Sequence, residues 1–233
     1  MKTLSIAAML LASFAASCIA QPQHTQSKTA PQVQTDAEWA RHYAPDCSAN
    51  SQNCGFAGGI IWDPHFLALL RHSLPQSESW WVNDHRSHSS VTNVVLEFLG
   101  IPESSSFDDN RYLTVAGCVP HVCTVKGMIW IDTGTNPSTV LFVAEDAATG
   151  RNAGYRLWLY SSKPMNLGAL PSDFLSSLTH WHTAIAATAP SYFPQTIALV
   201  TLVQPNGLER DLTWDELIGA TNHPPSSNTG AKP

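Results

Sequence analysis

Six residues, Cys118-Val119-Pro120-His121-Val122-Cys123, constrain this chain more than any other stretch. They lie between two segments, Tyr112 to Ala116 and Thr124 to Ile131, that are rich in the β-branched and aromatic residues of strands. Four residues between two cysteines can be closed by a disulfide, and Pro120 fixes its own φ near about −65°. The pattern predicts a stapled hairpin tip on a sheet, holding His121 toward solvent with little freedom left to lose. Tips of this kind carry binding groups, because the scaffold is rigid and the loop is accessible.

The chain has five cysteines, and the N-terminus decides how many reach the folded protein. Lys2, the apolar run Leu4 to Ala16 and the small residues up to Ala20 have the layout of a secretory signal peptide over residues 1–20. Cleavage is expected after Ala20; lipidation of Cys18, within Ala15-Ala16-Ser17-Cys18, is the alternative. Either route removes Cys18 from the free thiols and leaves Cys47, Cys54, Cys118 and Cys123. An even set in an exported chain predicts disulfides. Three pairings are open, and the two local ones, Cys47–Cys54 and Cys118–Cys123, are the economical choice. No later apolar run approaches the length of a bilayer span, so the expectation is a periplasmic protein without a transmembrane segment.

With 233 residues and 43% hydrophobic content, the chain can bury a sizeable core in one domain or two. Its formal charge is −6, and loss of Lys2 with the signal leaves 11 basic against 18 acidic residues. That balance excludes nucleic acid as the expected partner. It suits solubility first, and encounter with a basic protein second.

Read in order, residues 21–34 are Gln-, Thr- and Pro-rich and form a linker. Thr35 and Glu38 have capping-box spacing ahead of a short helix that ends near Tyr43, before Pro45. Cys47 to Cys54 then makes a polar stapled loop, and the glycine-rich run to Ile61 is a connector; residues 21–59 form this N-terminal region. Asp63-Pro64 starts a helix that stops at Leu74-Pro75. Trp80 and Trp81, adjacent in an extended segment, are expected on opposite faces with at least one in the core. Val91 to Leu99 reads as a strand, and Gly100 to Asn110 as a turn region. Beyond the central hairpin, Val140 to Val143 and Tyr155 to Tyr160 read as strands joined by short turns. Pro171-Ser172-Asp173 opens a helix with Phe174, Leu178, Trp181 and Ile185 on one face. Ile197 to Val203, the turn at Pro205-Asn206-Gly207 and Leu208 to Leu212 predict a C-terminal hairpin within 188–221, followed by a disordered tail, 222–233.

The six-residue stretch resembles the signature of the periplasmic inhibitors of vertebrate (c-type) lysozyme, a disulfide-closed loop reading Cys-Lys-Pro-His-Asp-Cys. Cys118, Pro120, His121 and Cys123 match, whereas Val119 replaces the lysine and Val122 the aspartate. Leu74-Pro75 followed by Trp80-Trp81-Val82 is similar to an upstream Leu-Pro-Ala-Trp-Val run, and Leu141-Phe142 and Leu157-Trp158-Leu159 fall where that family has strands. The resemblance covers residues 60–187. It implies an α+β fold, an antiparallel β-sheet with packed helices and a protruding disulfide-closed loop. It also implies that the loop enters the lysozyme cleft and sets the histidine between the two catalytic carboxyls. The uncharged loop points to lysozyme or a related wall-degrading glycosidase as partner; the alternative is an exported interaction module of the same fold that inhibits nothing.

Other chemistry finds little footing. His180 and His182, two apart on a helix, lie about 200° apart around its axis and cannot share a metal; they flank Trp181. His85 and His88 lack a third ligand, and a Cys–His–Cys zinc site at the tip is too tight in sequence to wrap a tetrahedral ion. No nucleophile elbow, zinc-protease helix or spaced carboxylate pair appears, so the expectation is a non-enzyme with no metal and no cofactor.

Overall fold

The computed structural model describes residues 36–43, 59–75, 78–82, 87–147, 154–188 and 196–219. The expected signal peptide, linker, Cys47–Cys54 pair and C-terminal tail lie outside them, as do Thr35 and His85. The helices are α1 (Asp36–Tyr43), α2 (Pro64–Ser73), α3 (Val91–Phe98), α4 (Ser172–Thr188) and α5 (Trp214–Gly219). The strands are β1 (Glu78–Val82), β2 (His88–Ser90), β3 (Ile101–Asp108), β4 (Tyr112–Val119), β5 (Val122–Asp132), β6 (Thr139–Ala147), β7 (Tyr155–Ser161), β8 (Ile197–Val203) and β9 (Glu209–Leu212).

The helix signals at α2 and α4 act as expected. The Asp63 carboxylate accepts from the backbone N–H of His65 and Phe66 at 2.7 and 3.3 Å, and Pro64 stands in the first turn, where its missing N–H is harmless. Phe174, Leu178, Trp181 and Ile185 are all buried along one face of α4. Two readings need correction. Val91 to Phe98 is a helix, not a strand: Ser90 caps it by accepting from the Asn93 N–H, and Val91, Val94, Val95 and Phe98 recur at helical spacing and are buried. Ile101 to Asp108 is a strand rather than a turn, because β4 supplies its ladder; only Pro102 and Phe107 of its side chains are buried.

Strands β3 to β9 form one seven-stranded sheet in sequence order. Every neighbouring pair is antiparallel except β7 and β8, which run parallel because α4 carries the chain back across the sheet between them. The C-terminal hairpin thus extends the same sheet by two strands. Alternation along each strand feeds two cores. Ile129, Ile131, Val140, Phe142, Trp158 and Tyr160 face α2, α3 and the β1–β2 pair, whereas Met128, Trp130, Leu141, Val143, Leu157 and Leu159 face α4 and α5. Trp80 and Trp81 do not divide between core and solvent as adjacent strand residues would. Both are half-buried against Phe98, with ring centroids 5.8 and 4.9 Å away, where the β1–β2 register is irregular. Among the described residues, no helix is long and apolar enough to cross a membrane.

Candidate functional site

The hairpin expected at Cys118 to Cys123 is present, and Cys118 and Cys123 are disulfide-bonded with Cα atoms 4.8 Å apart. Val119 pairs with Val122 around a two-residue turn, Pro120-His121. Proline cannot take a positive φ, so the mirror-image turns common in hairpins are closed to it. The turn instead places Pro120 first and His121 second, with His121 at φ +67°, the left-handed position that a type II turn demands of its second central residue. Holding an L-residue there costs roughly 1–2 kcal/mol, and histidine is among the side chains that tolerate it.

Below the turn the ladder slips. Lys126, not Cys123, stands opposite Cys118, so Cys123, Thr124 and Val125 bulge out of β5. The disulfide ties that bulge back to β4. Exposure follows this geometry: Cys118 is fully buried and Val119 only 6% exposed, whereas His121, Val122, Cys123 and Thr124 form a continuous exposed run. The sequence treats all six residues as a presented loop; the structure presents its second half. Val119, in the place of the family's lysine, belongs to the core shared with Phe98 and Leu99. Val122, in the place of the aspartate, is 47% exposed and available to a partner.

The turn is pinned from beneath. Gly100, at the exit of α3, lies so close to Pro120 that a Cβ there would come within 2.7 Å of the ring. Only glycine fits that approach. Among the described residues, the His121 ring has no hydrogen-bond partner, so both nitrogens are open to a second molecule.

Charge gathers at the base of the hairpin. Lys126 pairs with Glu103 across β4, at 2.5 Å, and Glu145 on β6 lies behind them, 1% exposed and with neither carboxylate oxygen hydrogen-bonded. Burial pushes the Glu145 carboxyl up to about 8; Lys126 opposes that shift and Glu103 adds to it. The Glu103 carboxylate and the two tip sulfurs lie within 4.8 Å of one another, but a disulfide has no thiolate to offer a metal. Sequence reasoning missed Gly100, Glu103, Lys126 and Glu145. The one legible signal was Glu145 itself, an acid directly after the apolar run from Val140 to Ala144.

Of the other described histidines, His65 Nδ1 lies 3.2 Å from the Asp63 carboxylate. His88 Nδ1 is 2.6 Å from the Ser79 carbonyl, His182 rests on Trp214 with centroids 5.2 Å apart, and His180 is exposed on the opposite flank of the buried Trp181. Comparison with family models, curated proteins and solved structures finds no match to this chain.

Proposed function

We propose that this protein is an exported inhibitor of lysozyme, or of a related wall-degrading glycosidase, that acts by inserting the Cys118–Cys123 hairpin tip into the catalytic cleft. The observation that carries the reading is a stapled turn holding an unpartnered histidine at a positive φ. Local backbone strain of this sort collects at functional sites, because a purely structural turn has cheaper residues available. The family signature at Cys118, Pro120, His121 and Cys123 supports the same conclusion from the sequence side.

The chemistry suits the target. A retaining glycosidase holds two carboxyl groups about 5–5.5 Å apart, one ionised and one protonated. An imidazole has two ring nitrogens on opposite sides and can satisfy both. The protruding element in this reading is the exposed run His121 to Thr124. Val122, an apolar side chain where the family carries an acid, favours a cleft whose rim is apolar. Burying it fully would contribute roughly 1.5–3 kcal/mol.

The test is His121→Ala, assayed for inhibition against several lysozyme classes and for thermal stability. Losing a partner of a buried charged group costs roughly 2–5 kcal/mol of binding, about a thirtyfold to several thousandfold loss of affinity. The exposed ring makes little of the core, so the fold should lose under about 0.5 kcal/mol. Equal inhibition by variant and wild type would remove His121 from the mechanism. Absence of inhibition by the wild type across all classes would leave the exported interaction module as the reading.

A further inference from the structure

The two halves of the tip disulfide stand in different surroundings. Cys118 is fully buried on β4, whereas Cys123 lies in the exposed run of β5. Thiol–disulfide exchange begins when a thiolate attacks one of the two sulfurs, and access decides which one. Cys118 offers an incoming thiol no surface; Cys123 does. Buried structural disulfides resist small thiols and exposed ones are labile, so a bond that is buried at one sulfur and exposed at the other can be entered from one side only.

The rest of the hairpin is held without the staple. The ladder runs from Tyr112 opposite Asp132 to Cys118 opposite Lys126, and Val119 pairs with Val122 above it. Val119 is packed in the core with Phe98 and Leu99, and the Pro120 ring lies against Gly100. What the disulfide alone secures is the bulge from Cys123 to Val125. Opening it would return freedom to that bulge and to the preorganised exposed run, and leave the sheet intact.

We propose that Cys123 is a thiol-exchange site, at which a low-molecular-mass thiol forms a mixed disulfide and opens the staple while the protein stays folded. In the step, the attacking sulfur bonds to Cys123 Sγ, the Cys118–Cys123 bond breaks, and its electron pair departs on Cys118 Sγ, which takes a proton from water. With the Cα atoms 4.8 Å apart, Cys118 remains in reach to attack the mixed disulfide, expel the small thiol and close the staple again. A second small thiol attacking the mixed disulfide instead carries off its partner as a free disulfide and leaves two protein thiols. The small thiol is thus the reductant, and its own disulfide is the oxidant in the closing direction. The exchange does not depend on the inhibitory reading, and no lysozyme enters its test.

The full chain is treated with millimolar glutathione in native buffer, quenched with iodoacetamide at intervals and mapped by tandem mass spectrometry. Molecules caught in exchange should carry glutathione on Cys123 and the alkyl group on Cys118, at least about tenfold more often than the reverse. The same species should appear when the reduced protein is closed again with oxidised glutathione. The far-UV spectrum should not change on opening, and the opening rate should be nearly flat at low urea, because an attack that waited for unfolding would accelerate steeply with denaturant. Single variants isolate access: the Cys123 thiol of Cys118→Ser should react with oxidised glutathione at least about tenfold faster than the Cys118 thiol of Cys123→Ser. If either variant does not fold, the mapping on the unaltered chain decides. The proposal is overturned if glutathione is found on Cys118 as often as on Cys123, if the opening rate rises with urea as unfolding does, or if neither direction of exchange yields a mixed disulfide at Cys123.

Discussion

The two ends of strand β5 lead into connections of different length, two residues at one end and six at the other, and they are fixed by different means. At one end, Pro120-His121 is closed by a covalent bond between Cys118 and Cys123, and the side chains beyond it are left without partners. At the other, the turn after Asp132 is closed by polar contacts. Asp132 accepts from Arg111 Nε and Nη2 at 2.6 and 2.8 Å and from the Gly134 N–H at 2.8 Å, while Lys163 donates to the Pro137 carbonyl at 2.8 Å. A turn held by its side chains has used them up. A turn held by a disulfide can spend its side chains on another molecule, which is why the stapled end reads as the recognition end.

The same contrast holds for the buried acids near the two ends, and it sets the largest predicted effect. Burial alone would raise the Asp132 carboxyl, but the hydrogen bonds from Arg111 and Gly134, with the charges of Arg111 and Lys163, more than reverse this and hold it below the ordinary carboxylate range. Its contribution is present above its unfolded pKa and is lost as pH falls through the folded one. Glu145 has the opposite sign. With its carboxyl raised from 4.5 to about 8, the folded state keeps a proton that the unfolded state releases, so stability declines as pH rises through that window. The full penalty is on the order of 5 kcal/mol. Denaturant titrations at pH 5 and above pH 8 should show Glu145→Gln close to wild type in acid and clearly more stable in base. Parallel pH slopes for the two proteins would mean that Glu145 finds a partner the buried geometry does not show.

The next effect separates the two valines of the tip. Val119→Lys drives an ammonium into the core beside Phe98 and gives up a buried valine, at a cost of about 3 kcal/mol or more, read as a fall in the denaturation midpoint. Val122→Asp changes an exposed residue and should alter stability by less than about 0.5 kcal/mol. Against a lysozyme with a basic cleft rim it should also strengthen inhibition. Equal destabilisation by both would mean that Val122 is packed as firmly as Val119 and that the exposed run is shorter than four residues.

That difference was hidden in the sequence, where Val119 and Val122 are symmetric about Pro120-His121. What was legible came from local chemistry: the Asp63-Pro64 helix start, the apolar face of α4, and the β-branched and aromatic strands that flank the tip. What was not legible depended on partners far along the chain. The valines of α3 read as strand composition, although Thr92 and Asn93 weaken that pattern, and the helix was decided by the Ser90 cap and by burial of Val91, Val94, Val95 and Phe98 against the sheet. Strand β3 has almost no apolar content of its own and exists because β4 pairs with it. The paired cysteines and the strand-like flanks put His121 at a hairpin turn, but no spacing rule could show that the ladder slips after Val119 and turns half of the stretch inward.

The smallest effect tests the strain at the tip directly. His121 sits at φ +67°, whereas Asp109 and Asn110 in the β3–β4 turn sit at +52° and +53°. Asp and Asn adopt this region readily because their short polar side chains can hydrogen-bond locally. The exposed imidazole at the tip has no such compensation within the described chain. Replacing it with glycine relieves roughly 1–2 kcal/mol of conformational strain in the folded state and gives back about 0.5–1 kcal/mol through the freer unfolded chain. His121→Gly should therefore stabilise the protein by about 0.5–1 kcal/mol, a rise of roughly 1–4 °C in melting temperature for a chain of this size. It should also lose inhibition as His121→Ala does. Asn110→Gly, where the native side chain already tolerates the region, should gain less. A residue whose removal raises stability while it lowers binding is being kept for the binding. A fall in melting temperature for His121→Gly would show instead that the ring stabilises the turn, and the tip would then be a structural hairpin like its counterpart at Asp132.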